Sequence, residues 1–102
     1  MVVIPFPYAD LTGVKRRPAV VVAEGDRGDL VLCQITSRPY AAASAISLDN
    51  TSFVSGGLPR ASFVRPSKLF TGNTSLVIRT AGVLRQEVSR TVLARVRQLF
   101  DE

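Results

Sequence analysis

"PAVVVAEGDRGDLVLCQIT", residues 18–36, is the stretch that decides the fold class. Two runs of β-branched and aliphatic residues, 19–23 and 30–35, flank a turn that carries Gly25 and Gly28. Both runs are nearly continuous rather than alternating, the pattern of strands covered on both faces. Between them, "EGDRGD" has the glycines and aspartates of a hairpin connection. A buried antiparallel hairpin is therefore the expected centre of the molecule.

Working outward, "VVIPFPY" (residues 2–8) reads as an opening strand. Pro5 and Pro7 lack a backbone donor, which confines it to an edge or a bend. "ADLTG" (9–13) is turn chemistry, with Asp10 and Thr12 able to accept from nearby backbone N–H groups. Beyond the hairpin, "SRPYAAAS" (37–44) reads as a loop and "AISLD" (45–49) as a short strand. "NTSFVSGGLP" (50–59) is a polar, glycine-rich excursion, and "RASFVRPSKLF" (60–70) gives one or two short strands interrupted by Pro66. "TGNT" (71–74) turns, and "SLVIRTAGVL" (75–84) supplies the last strand.

The period then changes. Val88, Val92, Leu93, Val96, Leu99 and Phe100 recur at spacings of three and four, predicting an amphipathic helix from Gln86 to Phe100, about four turns long. Its other face carries Glu87, Arg90, Arg95 and Arg97. Leu84 and Arg85 make a poor N-cap, so packing must hold the helix. The expected fold is mainly β with a C-terminal helix, a small bent antiparallel sheet or barrel.

With 102 residues, 46% of them hydrophobic, the chain is expected to form a single domain over 1–102. Thirteen Lys and Arg against eight Asp and Glu leave a net charge of +5, which favours an anionic partner, nucleic acid first. The chain has no histidine, and its one cysteine, Cys33, lies in an apolar run. That composition argues against a zinc site and an intrachain disulfide, and suits a reducing cytoplasm. Asp10, Glu24, Asp26 and Asp29 are scattered without the clustering of a two-metal site, so no metal and no cofactor are expected. No apolar run approaches the length of a membrane span, and "MVVIPFPY" lacks the pattern of a secretory leader.

Candidate chemistry gathers at both ends of the hairpin strands. Lys15, Arg16 and Arg17 run into Pro18, which fixes the local backbone so that Arg17 can grip a phosphate with two parallel hydrogen bonds. The bland alternative is a solvated basic turn. At the end of the second strand, the hydroxyls of Thr36 and Ser37 can donate to a phosphate oxygen, or simply satisfy loop backbone. Arg38 and Tyr40 add a cation and a stacking ring for single-stranded nucleic acid. Asp10 and Glu24 are candidates for an orienting group or base, with turn roles as the alternative. Arg60, Arg65 and Arg79 are further cations able to line a groove.

Taken together, "VIPFPYADLTGVKRRPAVVV", "LVLCQITSR" and "GLPRASFVRPSKLFT" resemble the MazF/PemK family of toxins from bacterial type II toxin–antitoxin pairs. The likeness spans nearly the whole chain, and "RRPAVVV" followed at this distance by "QITS" is its specific part. Family members usually open a few residues earlier with a Gly-Asp pair, so the resemblance leads one to expect a shortened first strand. It implies an SH3-like barrel (the MazF/PemK/CcdB-like toxin fold) assembled as a homodimer. It also implies a sequence-specific, metal-independent endoribonuclease, acting on single-stranded RNA in the bacterial cytoplasm and neutralised by an acidic antitoxin. DNA would be contacted only through that antitoxin. The family's catalytic arginine and threonine fall on Arg17 and Thr36, with Lys15, Arg16, Ser37, Arg38 and Tyr40 toward the RNA.

Cleavage without metal or histidine can use the 2′-hydroxyl as nucleophile, giving a 2′,3′-cyclic phosphate and a 5′-hydroxyl. Arg17 suits charge stabilisation, having five donors and a permanent charge, whereas its pKa above about 12 makes it a poor base. Base choice would come from the loops over residues 9–16 and 37–45. An acidic antitoxin tail is expected to lie in the same basic groove and compete with RNA. Two other classes remain: a gyrase-poisoning toxin of the same fold acting through the terminal helix, and a nucleic-acid-binding barrel that leaves RNA intact.

Overall fold

A computed structural model describes residues 1–7, 14–38 and 45–101. The predicted hairpin forms its centre. Strand β2 (Val14–Glu24) turns through a short 3-10 segment at Asp26–Gly28 into β3 (Asp29–Thr36). Arg27 and Gly28 take positive φ there, 56° and 79°, and the Gly25 N–H donates to the Asp29 carbonyl at 2.7 Å. Outside the hairpin lie β1 (Val2–Pro7), β4 (Ile46–Leu48), β5 (Phe53–Gly56), β6 (Ser62–Asn73), β7 (Arg79–Thr80) and β8 (Gly82–Leu84). Helix α1 (Gln86–Gln98) closes the chain. The strands form a six-stranded antiparallel sheet, ordered β4-β6-β3-β2-β1-β7, and a separate pair, β5-β8. Among the described residues the end strands β4 and β7 are not paired with each other.

The continuous apolar runs do cover both faces. Val20, Cys33, Ile35 and Val64 join Leu48, Phe53, Leu84 and Val92 in the main core, on the side where β5-β8 and α1 pack. Alternate residues Ala19 and Leu32 belong to a second cluster with Ile4 and Leu30, against which Val2, Val21, Phe70 and Val77 pack. Period-two geometry makes this division: Ala19 and Val20 are adjacent in sequence and on opposite faces. Cys33 is fully buried among hydrophobes, and burial pushes its thiol up to about 11. As expected of its cap, α1 begins at Arg85 without a side-chain cap bond. Val92 holds it at the core, with Val88 and Val96 beside it.

Several expectations are corrected. Strand β1 is not simply an edge: Val2 and Val3 pair with β7, and only past them, at Pro5 and Pro7, is the second side without a ladder. The prolines thus sit where a missing N–H breaks no bond. Its six residues pair with β2 along their whole length. The excursion at 50–59 contains β5, started by a 3-10 turn (Asn50–Ser52) with a capping box between Asp49 and Ser52. Strand β6 runs unbroken through Pro66 because three residues, Pro66, Ser67 and Lys68, bulge out of register: Gln34 faces Arg65, and the preceding Cys33 faces Leu69. "TGNT" is largely strand, with the turn displaced to Thr74–Leu76. The expected last strand is split at Ala81 into β7 and β8, which join different sheets. The helix stops at Gln98, leaving Phe100 72% exposed.

Candidate active site and an adjoining basic groove

The register fixes which side chains share a face. Strand β1 sets Ile4 opposite Arg17, and β2 sets Ala19 opposite Gln34. Continued by two residues past Ala19–Gln34, the β2–β3 register brings Thr36 opposite Arg17. On the far side of β3, Gln34 faces Arg65 and Thr36 faces Phe63, which in turn faces Ser47 of β4. Directly opposed residues project to the same side of a sheet. One face, at one end, therefore presents Arg17, Thr36, Gln34 and Arg65 in a row across three strands. Arg17 and Arg65 are both half-buried.

Hydrogen bonds give three of these groups, Arg65, Gln34 and Thr36, a defined orientation. Arg65 Nη1 donates to Gln34 Oε1 at 3.1 Å. The Arg38 backbone N–H donates to Thr36 Oγ1 at 3.2 Å. The latter is the local backbone satisfaction that a threonine after a strand commonly provides. It also occupies an acceptor lone pair only, so the hydroxyl proton of Thr36 stays available as a donor.

At the same end of the sheet, a groove of about 520 Å³ opens toward the other face. Its apolar floor includes Val3, Pro18, Ile35, Leu58 and Ile78; Arg16, Arg60 and Arg79, all exposed, provide its charge. Ser37 and Ser62 add hydroxyls, although Ser62 Oγ already donates to the Arg60 carbonyl at 3.0 Å. Arg17 also lines this groove, and so borders both faces. Residues of β2 (Arg16, Arg17 and Pro18), the end of β3, the 57–60 segment and the β7 region line it together, with Ile35 of the main core at its floor.

Of the site residues expected from sequence, Arg16, Arg17 and Ser37 come together along the groove, and Thr36 lies beside them on the neighbouring strand. Arg38 is exposed immediately after β3. Lys15 belongs to β2, with its side chain outside the described atoms; Asp10 and Tyr40 lie outside the described residues. Glu24 is not brought to this end: it is exposed and pairs with Leu30 at the opposite end of β2, about 20 Å from Arg17 along the strand. Gln34 and the Arg65 partnership escaped the sequence reading. The usable signal was period two, which puts Gln34 on the same side as Thr36.

The pattern described as "PemK-like, MazF-like toxin of type II toxin-antitoxin system" matches residues 1–100. The chain belongs to this family. Among solved structures, it is similar to Mycobacterium tuberculosis toxin MazF-mt6, with a TM-score of 0.70 and 16% identity, over 99% of this chain and 97% of that one. At that identity the likeness concerns the fold: a mostly antiparallel β structure with one terminal helix. Comparison with curated proteins finds no match. Toxins of the PemK/MazF family are generally endoribonucleases, and membership in a type II toxin–antitoxin family implies an antitoxin as partner. No helix among the described residues is long and apolar enough to cross a membrane.

Proposed function

We propose that this toxin-family chain is a sequence-specific, metal-independent endoribonuclease that cuts single-stranded RNA, acts in the bacterial cytoplasm as a homodimer, and is neutralised by an acidic antitoxin. The observation that carries this reading is the alignment of Arg17 and Thr36 on adjacent strands, on one face, beside a groove rich in arginine. In the reaction, the 2′-hydroxyl gives its proton to a general base as its oxygen attacks the adjacent phosphorus. The bond to the 5′-oxygen breaks, that oxygen takes up a proton, and a 2′,3′-cyclic phosphate remains. Arg17 stabilises the charge gathering on the nonbridging oxygens, and Thr36 donates its hydroxyl proton to one of them. Holding the 2′-oxygen in line with the leaving oxygen supplies the remainder of the rate.

The test incubates the protein and Arg17→Ala with mixed-sequence single-stranded RNA in excess EDTA and maps the fragment ends. Specific cuts ending in cyclic phosphate, lost in the variant, are expected. Intact RNA from folded, dimeric protein would overturn the proposal. One observation favours a second reading, a gyrase-directed toxin: Leu99 and Phe100 are exposed apolar groups at the end of α1. Inhibition of gyrase by a chain that leaves RNA whole would select it.

A further inference from the structure

We propose that the groove bounded by Arg16, Arg60 and Arg79 is a backbone-binding subsite, which holds single-stranded RNA beyond the phosphate engaged by Arg17. This rests on the ribonuclease reading and adds to it residues that the catalytic pair does not include. Three features carry the inference. Arg17 lines the groove as well as sharing a face with Thr36, so a strand whose scissile phosphate sits at Arg17 is already at the groove's mouth. The described lining includes Arg16, Arg60 and Arg79 and no acidic residue, so its charge complements a polyanion. The third feature is the floor, which is aliphatic and proline-rich, with no aromatic ring among the described lining residues.

Phosphate contacts fix position and carry no sequence information, whereas aromatic rings are a main device by which single-stranded bases are held. With no aromatic ring among the described lining residues, the groove's arginines are assigned to the chain of phosphates, and the sugar edges rest on Val3, Leu58 and Ile78. Arg60 and Arg79 serve as positioning residues, with no part in bond breaking.

The experiment uses two RNA substrates cut at the same bond: a minimal one, and one lengthened by several nucleotides on both sides. It compares the unaltered protein with Arg60→Ala/Arg79→Ala and with the charge reversal Arg79→Glu, all checked for folding by circular dichroism. The advantage of the long substrate in kcat/KM is expected to shrink by on the order of ten-fold in the double variant, through KM. The logarithmic salt dependence of long-RNA binding is expected to flatten by about 0.7 for each arginine removed. An unchanged length advantage and salt slope would overturn the subsite and leave the ribonuclease standing. Equal loss on both substrates would also overturn it, since the arginines would then act at the cleaved bond or on the fold. If the unaltered protein cuts neither substrate, the ribonuclease reading fails, and the salt slope of binding alone decides the groove. Should the variants keep full RNA binding but lose affinity for an acidic peptide, the groove belongs to a protein partner and the proposal is wrong.

Discussion

Thr36 offers a sharp separation of structural from chemical roles, because its hydroxyl has two different functions to lose. Its oxygen accepts from the Arg38 N–H at 3.2 Å, an exposed bond at the end of β3. Such a bond contributes about 0.5–1.5 kcal/mol, and its exposure puts it at the low end, since water can replace it. The hydroxyl proton, donated to a developing oxyanion, contributes about 2.7–4 kcal/mol, or 10²–10³ in rate. Thr36→Val keeps the branched shape and removes both functions; Thr36→Ser keeps both and removes one methyl. The valine variant should therefore melt only a few degrees lower while its kcat falls by on the order of 10²–10³. Serine should retain kcat within roughly ten-fold, for a change of shape alone. The assay is single-turnover cleavage of a saturating short RNA, with thermal melting of each variant in parallel. If Thr36→Val keeps kcat within about three-fold, the threonine is only a loop fastener and the argument for donation fails.

Other expectations concern the frame that holds this site. Val92, fully buried, anchors α1, and Val92→Ala should cost about 2–3 kcal/mol by denaturant titration, from two lost methyl groups plus the cavity. Gly56 has φ of +67°, and an added Cβ would meet the Ala81 carbonyl, so Gly56→Ala should cost at least about 2 kcal/mol and loosen the β5–β8 pair. Burial raises the Cys33 thiol from 9.0 to about 11, so the folded state holds that proton more tightly than the unfolded one. Its contribution is complete below pH 9 and lost as pH rises through 11. Cys33→Ala should accordingly flatten the alkaline decline in melting temperature, and an identical slope in both proteins would refute the linkage.

Local signals were enough for the parts of the chain that are locally determined. The β2–β3 hairpin, the short β4 and the helix start at Gln86 follow from β-branched runs, turn glycines and a change of period. Long-range pairing was not legible. Nothing in "SLVIRTAGVL" announces that Thr80 will join β1 while Gly82 joins β5, because that split depends on partners some 26 to 78 residues away in sequence. Nor does a proline in "FVRPSKLF" reveal that the strand continues: the outcome depends on whether β3 can tolerate extra residues opposite it. For the candidate site, Arg17 and Thr36 were legible as residue types at strand ends, and their common face follows only from the register. Glu24 was eligible by residue type alone: as the first residue of the EGDRGD connection it already belongs to the turn end of the expected hairpin, away from Arg17 and Thr36 at the open end.

The bulge in β6 has a consequence for how this chain can change in length. Pro66, Ser67 and Lys68 are three surplus residues, an odd number, so they reverse the sidedness of everything that follows in the strand. Arg65 and Leu69 consequently face opposite sides of the sheet, although four positions apart in a regular strand would put them on the same one. Deleting one surplus residue would leave Arg65 and Leu69 three positions apart, and strict alternation would then place them on the opposite faces they already occupy. Deleting two would leave them two apart, and an irregularity would again be needed to keep Leu69 at the core and Arg65 away from it. The strand should thus accept the loss of one residue here more readily than the loss of two, a counting rule imposed on the gene by the pleat of one strand.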